Sequence, residues 1–294
     1  MRAMGQPRFV CHMAVLSGDA APNSIDAIRE CFAAGVERIE IDIHSLAGAD
    51  YIVSHDRRLE DNTTGTGAMG RVTPDAARAT RFRARPDDRP PLLSEVVAAA
   101  AGSSTEIQLD LKDWRPLTSE RIRALDDVIA PIRNRVIVSS GQDWNLLRIR
   151  RLAPGITIGF DPGWYIAHPT ADAEATMPRA KGAYGYLDDH PLAYGRASDT
   201  DEYLRERFEL LVLQAPGSRE YFISYRLALL MLNDGFNVAE FLHDRGIDAN
   251  VWTPDYEGPA SLEILTRLTE AGFDRVTTNT TLAWQRALLP HRRS

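Results

Sequence analysis

The stretch Glu37-Arg-Ile-Glu-Ile-Asp-Ile-His44 alternates polar residues with isoleucines. Successive side chains of an extended strand point to opposite faces, so Ile39, Ile41 and Ile43 share one face while Glu40, Asp42 and His44 share the other. A second stretch, Glu106-Ile-Gln-Leu-Asp-Leu-Lys112, repeats the pattern: Glu106, Gln108, Asp110 and Lys112 lie opposite Ile107, Leu109 and Leu111. A parallel strand covered by helices is expected to be apolar on both faces. Two strands that carry charge inward, towards their C-terminal ends, therefore point to a buried site at the end of a parallel sheet where active sites are built.

Outward from these two strands, apolar runs bounded by turn residues predict further strands at 8–11, 135–139, 156–160, 210–213, 249–252 and 275–278, eight in all. Helical spacing is read at 24–34, 94–101, 119–129, 144–152, 238–245, 261–271 and 280–289, with Ser24 and Ser261 as expected N-caps. Gly35, Gly102, Gly246 and Gly272 follow the last periodic residue of their helices, the usual place for a left-handed cap. Alternation of strand and helix with eight strand units predicts an α/β fold, a (β/α)8 TIM barrel occupying residues 1–294 as a single domain. Two segments are too long for ordinary connections, about 56–91 and 161–207; the second carries Trp164, Tyr165, Tyr184, Tyr186 and Tyr194. Both are expected as insertions at the C-terminal mouth, shaping access to the site.

Composition narrows the class. The chain has 294 residues, 44% of them hydrophobic, enough for a full core without staples. A net charge of −7 argues against a nucleic-acid partner, which needs a basic face. No apolar run approaches a spanning length or a signal peptide, and Cys11 and Cys31 lack metal or disulfide spacing, so a cytoplasmic protein without a transmembrane segment is expected. The apolar stretch 227–232 reads as a buried helix end.

Burying Glu40 beside Asp42 is unfavourable unless a cation or a shared proton separates them. Asp110 on the second strand completes a three-carboxylate cage, whereas Glu106, ~13 Å back along the strand, belongs at the barrel floor. Oxygen ligands alone suit a hard divalent cation, Mg²⁺ or Ca²⁺, better than zinc. Lys112 would bring a point positive charge to a phosphoryl oxygen, unless it serves only to pair with Asp110 or Glu40. His12 ends the first strand and His55 ends the apolar run Tyr51-Ile-Val-Ser; both fall at the mouth and can form a general acid and base pair. His44 is a third candidate at the rim, expected to touch substrate, while His168, His190, His243 and His291 read as loop or surface residues.

These residues, in this order, resemble the glycerophosphodiester phosphodiesterase family. The resemblance rests on His12, Asn23-Ser24, Glu40-Ile-Asp42, His55-Asp56, Leu59, Thr63-Thr-Gly-Thr-Gly67, Pro91-Leu-Leu-Ser-Glu95, Asp110-Leu-Lys112, Val251-Trp-Thr253 and Thr277-Thr-Asn279. It spans residues 9 to about 282 and is most specific between Glu40 and Gly67. It implies that Glu40, Asp42 and Asp110 hold the metal, that His12 and His55 are acid and base, that Lys112 contacts phosphate, and that Trp252 walls the pocket. Departures from the family pattern are Met13-Ala14 for Arg-Gly, Pro22 for Glu, Asp110 for Glu and Asn279 for Asp. The His-Met pair and Asp-Leu-Lys are similar to sphingomyelinase D type phospholipases. The expected function is metal-dependent hydrolysis of a small glycerol- or sugar-type phosphodiester; lipid headgroup cleavage and silent phosphodiester binding are the alternatives.

Overall fold

In a computed structural model, residues 7–166 and 198–289 are described. Eight parallel strands close into a barrel: β1 (Arg8–Cys11), β2 (Arg38–Ser45), β4 (Glu106–Leu111), β5 (Val136–Ser140), β6 (Thr157–Phe160), β7 (Glu220–Ser224), β8 (Asp248–Trp252) and β9 (Arg275–Thr278). Closure comes from β1 pairing with both β2 and β9. The ninth strand, β3 (Tyr51–Val53), runs antiparallel to the top of β2, with His44 opposite Ile52.

The outward faces of the strands, among them Ile39, Ile41, Ile43, Ile107, Leu109, Leu111, Tyr221, Ile223 and Val251, join one core with the surrounding helices. Removing that apolar surface from water is the main favourable term of the fold. Helix α1 (Ile25–Ala34) starts where the Ser24 side chain accepts the N–H of Ala27 at 3.1 Å and ends at Gly35, φ 63°. Gly102, Gly246 and Gly272 also adopt positive φ, as the helix-end reading requires. Ser261, expected as a cap, instead lies inside the helix Ala260–Glu270, and its hydroxyl accepts the N–H of Glu257.

One predicted strand is misplaced. Residues 210–213 belong to the helix Thr200–Gln214, in which Tyr203, Leu204, Phe208 and Leu211 are buried while Leu210 and Leu213 are 50% and 73% exposed. A barrel strand cannot leave two large apolar residues of its run in water. The true sixth barrel strand, β7 (Glu220–Ser224), opens on a charged residue that conceals its strand character, since Glu220 is buried at the barrel floor. There Arg38 donates to both Glu220 oxygens at 2.8 and 2.9 Å and pairs with Glu106 at 2.8 Å. Glu106 thus sits at the floor as its spacing predicts, and Arg275 pairs with Glu106, Glu220 and Asp248.

The 56–91 insertion packs Leu59, Met69, Val72 and Ala77 against Leu46, Ile52 and Leu92 in a second, smaller core. The Thr63–Gly67 run folds this loop and lies outside the chemistry. Thr63 Oγ1 donates to the Leu59 carbonyl and accepts the N–H of Gly65, and Gly67 donates to Glu60. A Cβ on Gly65 would stand 2.4 Å from Thr80 Cγ2, so the close approach requires glycine. His168, His190, His291, Tyr184, Tyr186 and Tyr194 lie outside the described residues. Cys11 and Cys31 are free and fully buried, packed against the Thr281 hydroxyl and the Ala14 carbonyl. Among the described residues, no helix is long and apolar enough to cross a membrane.

Candidate active site

The pleat decides which side chains meet. β2 and β4 pair with Asp42 opposite Asp110, and Glu40 lies one inward step below. Carboxylate oxygens of Glu40, Asp42 and Asp110 all lie within 4.8 Å of one another. Glu40 and Asp42 are buried, at 3% and 0% exposure. Burial, then the charges of Asp42 and Asp110, push the Glu40 carboxyl well above the usual carboxylate range, against the opposing pull of Lys112 and the Met13 N–H. Burial acts on Asp42 in the same direction, but Lys112, His55 and the Asn23 amide outweigh it and hold Asp42 below its ordinary value. Lys112 lies 3.0 Å from Asp42 Oδ1 and 2.5 Å from Asp110 Oδ2. Burial alone would depress its ammonium, yet Asp110, Asp42 and Glu40 raise it well above the ordinary lysine value. Three acidic groups against one cation leave an excess of negative charge on oxygen donors, the set a hard divalent ion satisfies.

His12 follows β1 at the mouth, its Nε2 3.7 Å from Glu40 Oε2. Its Nδ1 is 2.7 Å from Asn279 Oδ1. Asn279 is itself held by Asp255, which accepts both its backbone N–H and its side-chain NH₂ at 2.8 Å. A carboxylate can only accept, so the amide nitrogen of Asn279 faces Asp255 and its oxygen faces His12. His12 therefore carries its proton on Nδ1 and presents Nε2 to the cage. The turn after it is tight: Met13 and Ala14 have φ of 50° and 55°, and this left-handed bend brings the Met13 N–H to Glu40 Oε2 at 2.9 Å. Asn23, also left-handed, donates to Asp42 Oδ2 at 2.8 Å.

His55 is delivered by β3. The Ser54 N–H donates to the Asp42 carbonyl at 2.9 Å, which stations His55 just above the cage, its side chain 56% exposed and its Nδ1 3.4 Å from Asp56. His44 is placed differently from its rim expectation. It is buried at 3% exposure, and its Nε2 is 3.4 Å from the His55 carbonyl oxygen. Burial depresses its basicity, a neutral ring in contact with the loop that presents His55. His243 pairs with Asp274 at 2.8 Å, away from the cage. Trp252 ends β8, 36% exposed, and lines a cleft of about 320 Å³ with Ser224, Arg226, Thr253 and Glu257.

Sequence reasoning missed Asp255 and Asp161, and gave Asn23, part of the motif, no role at the site. Asp161 follows β6 on the inward register of Gly159, and that alternation in Thr157-Ile-Gly-Phe-Asp161 was the signal available for it. Burial, then the charge of Asp110, push its carboxyl up to about 7. Asp255 offers no pattern in a loop, since its role exists only across the gap to Asn279.

The profile of the Glycerophosphoryl diester phosphodiesterase family matches residues 16–283. The chain belongs to this family. Human glycerophosphodiester phosphodiesterase 1 is 28% identical over 131 residues, a match that covers 42% of this chain and 40% of the human protein. The fold is that of a phosphodiesterase from Oleispira antarctica solved with its product sn-glycerol-3-phosphate, at TM-score 0.62 and 16% identity, covering 96% of each chain. A glycerophosphodiester phosphodiesterase from Parabacteroides distasonis matches at TM-score 0.64 and 16% identity, covering 96% of this chain and 98% of that one. Against this family pattern, the structure gives the Asn279 departure a local reason. An aspartate there would face Asp255 across a hydrogen-bond distance, two carboxylates with nothing but a shared proton to hold them together.

Proposed function

We propose that the protein is a metal-dependent phosphodiesterase that hydrolyses a small glycerol- or sugar-type phosphodiester to a phosphomonoester and an alcohol. The observation that carries this reading is the convergence of Glu40, Asp42, Asp110 and Lys112 under His12, whose free Nε2 faces the cage. Glu40, Asp42 and Asp110 would hold a divalent cation, Mg²⁺ or Ca²⁺, which when bound supplies a Lewis acid for a non-bridging phosphoryl oxygen. Lys112, ion-paired with Asp42 and Asp110, would bring its positive charge to a phosphoryl oxygen, and Asp42 Oδ1, buried without a hydrogen-bond partner, is left as a donor atom for the cation.

The reaction is an in-line displacement at phosphorus. One histidine takes the proton of the incoming hydroxyl, from water or from a neighbouring substrate hydroxyl, as its oxygen bonds to phosphorus. The other histidine gives a proton to the departing alkoxide as its bond breaks. His12 is kept in one tautomer by the Asn279–Asp255 relay, and His55 stands at the open rim with its side chain 56% exposed. The two must begin in opposite protonation states, so activity is bell-shaped in pH. Trp252 walls the substrate side of the mouth. A cytoplasmic setting belongs to the same proposal, supported by two free, buried cysteines.

A screen of glycerol, sugar and aryl phosphodiesters with chelator-stripped protein, alone and after addition of Mg²⁺, Ca²⁺ or Mn²⁺, tests this reading. Turnover restored by a cation, with a phosphomonoester as product, is the expected result. Absence of turnover under every condition would leave only a binding function. Lipid headgroup cleavage is a second reading, favoured by Trp114 and Trp164, 47% and 38% exposed beyond β4 and β6, with Arg57 and Arg115 stacked on Trp114. Release of headgroup from lysophospholipid vesicles, faster than from soluble diesters, would select it.

A further inference from the structure

Asp161 takes no part in the reaction above, although it shares the mouth with the groups that do. It stands on the inward register of β6, and the Trp252 side chain comes up against its carboxyl. Trp252 is on β8, two strands away, with β7 between them. The approach of these side chains therefore passes above the end of β7, at the mouth. Oδ1 of Asp161 also accepts the N–H of Gly163 at 2.8 Å. Both partners are neutral. They fix the carboxyl's orientation without cancelling its charge, and two oxygens with about four lone-pair positions leave acceptor capacity free.

A carboxyl placed next to Asp110 cannot attract the phosphate of a diester, because like charges repel across a poorly solvated site. It can accept hydrogen bonds from alcohol hydroxyls. The partly exposed indole face beside it suits the C–H surface of a small polyol, the usual pairing of an apolar wall with a few orienting polar groups. We infer that Asp161, buttressed by Trp252, binds a hydroxyl of the substrate's organic group and selects hydroxylated alcohols, glycerol- or sugar-like, over plain alkyl or aryl ones. This assignment rests on the phosphodiesterase reading and adds to it the residue that recognises the organic group. Burial, with Asp110 adding to it, pushes the carboxyl up to about 7, and a hydroxyl, which both donates and accepts, satisfies it in either protonation state.

The experiment compares wild type, Asp161→Ala and Asp161→Asn as full-length, metal-restored protein on two substrates: a glycerophosphodiester with free hydroxyls and bis(4-nitrophenyl) phosphate, which has none. Asp161→Ala is expected to lower kcat/KM on the glycerol diester by about 10- to 100-fold, mostly through KM, while the aryl diester changes by no more than about twofold. Asp161→Asn, which can still accept from a hydroxyl, recovers part of the loss. Melting curves of the three proteins identify any variant that fails to fold, and the near-isosteric Asn variant keeps the comparison usable. Equal losses on both substrates would overturn the assignment in favour of a general structural role, and no loss on the glycerol diester would overturn it outright. If wild type turns over the aryl diester but no hydroxylated one, the selectivity assignment falls while the phosphodiesterase reading stands; if it turns over neither, both fall.

Discussion

Replacing Glu40 with glutamine should make the metal-free protein more stable while abolishing its response to cations. Glu40 is 3% exposed, within 4.8 Å of carboxylate oxygens of both Asp42 and Asp110. Two like charges at that separation repel by about 3.5 kcal/mol at an effective dielectric of about 20. Two such repulsions, less the attraction of Lys112, leave roughly one pair's worth as a ceiling. The wild-type carboxyl relieves part of this by keeping its proton, because burial and the two aspartates raise it well above the usual range. A net gain of about 1–2 kcal/mol is the expected remainder, or ~2–8 °C in Tm for a chain of this size. The sign in pH follows. A carboxyl whose folded pKa is raised contributes stability fully present below its unfolded value of about 4.3, and that contribution is lost as pH rises through the folded pKa. Metal-free wild type should therefore weaken with rising pH more than Glu40→Gln does. The assay is thermal melting by circular dichroism of chelator-stripped protein across pH, with and without millimolar Mg²⁺ or Ca²⁺. Wild type should gain Tm on adding cation and the variant should not. A variant that melts below wild type without metal, or that still gains from the cation, would refute the idea that these three carboxylates are held together under electrostatic strain for a metal.

His12→Ala and His55→Ala should each lower kcat by ~10² to 10⁴-fold in steady-state assays; near-normal turnover by either removes it from proton transfer. Asp255→Ala should free Asn279 to flip and let His12 lose its tautomer, lowering kcat by about 10- to 100-fold with KM little changed and altering the pH profile. At the barrel floor, Arg38→Met takes from Glu220, buried at 1% exposure, its nearest cation and leaves it Arg275 at 3.5 Å and the Asn250 amide, at a cost of about 1–3 kcal/mol in urea denaturation and with KM unaffected in the protein that remains folded.

The alternating runs on β2 and β4 were sufficient to place Glu40, Asp42, Asp110 and Lys112 inward, because pleating is a local property that a two-residue period reports directly. Spacing along the same strand likewise assigned Glu106 to the floor. Strand β7 resisted such a reading. Glu220 looks like a surface residue until Arg38, 182 positions away in sequence, is seen to neutralise it, and the apolar 210–213 run is the last turn of a helix. His44 follows the same strand register as its neighbours, but the antiparallel β3 covers it, so a residue expected at the rim is enclosed.

What the amino-acid order determined by itself was the barrel, through the recurrence of strand and helix, and the carboxylate cage, through alternation; both arise from periodicities carried by a few consecutive residues. What only the tertiary structure decided was how the imidazoles are held and what shares the mouth with them. The tautomer of His12 depends on an amide turned by Asp255, and Asp161 meets the side chain of Trp252 from two strands away. Hydrogen bonds between residues far apart in the chain leave no period in the sequence, and it is closure of the barrel that brings their donors and acceptors within reach.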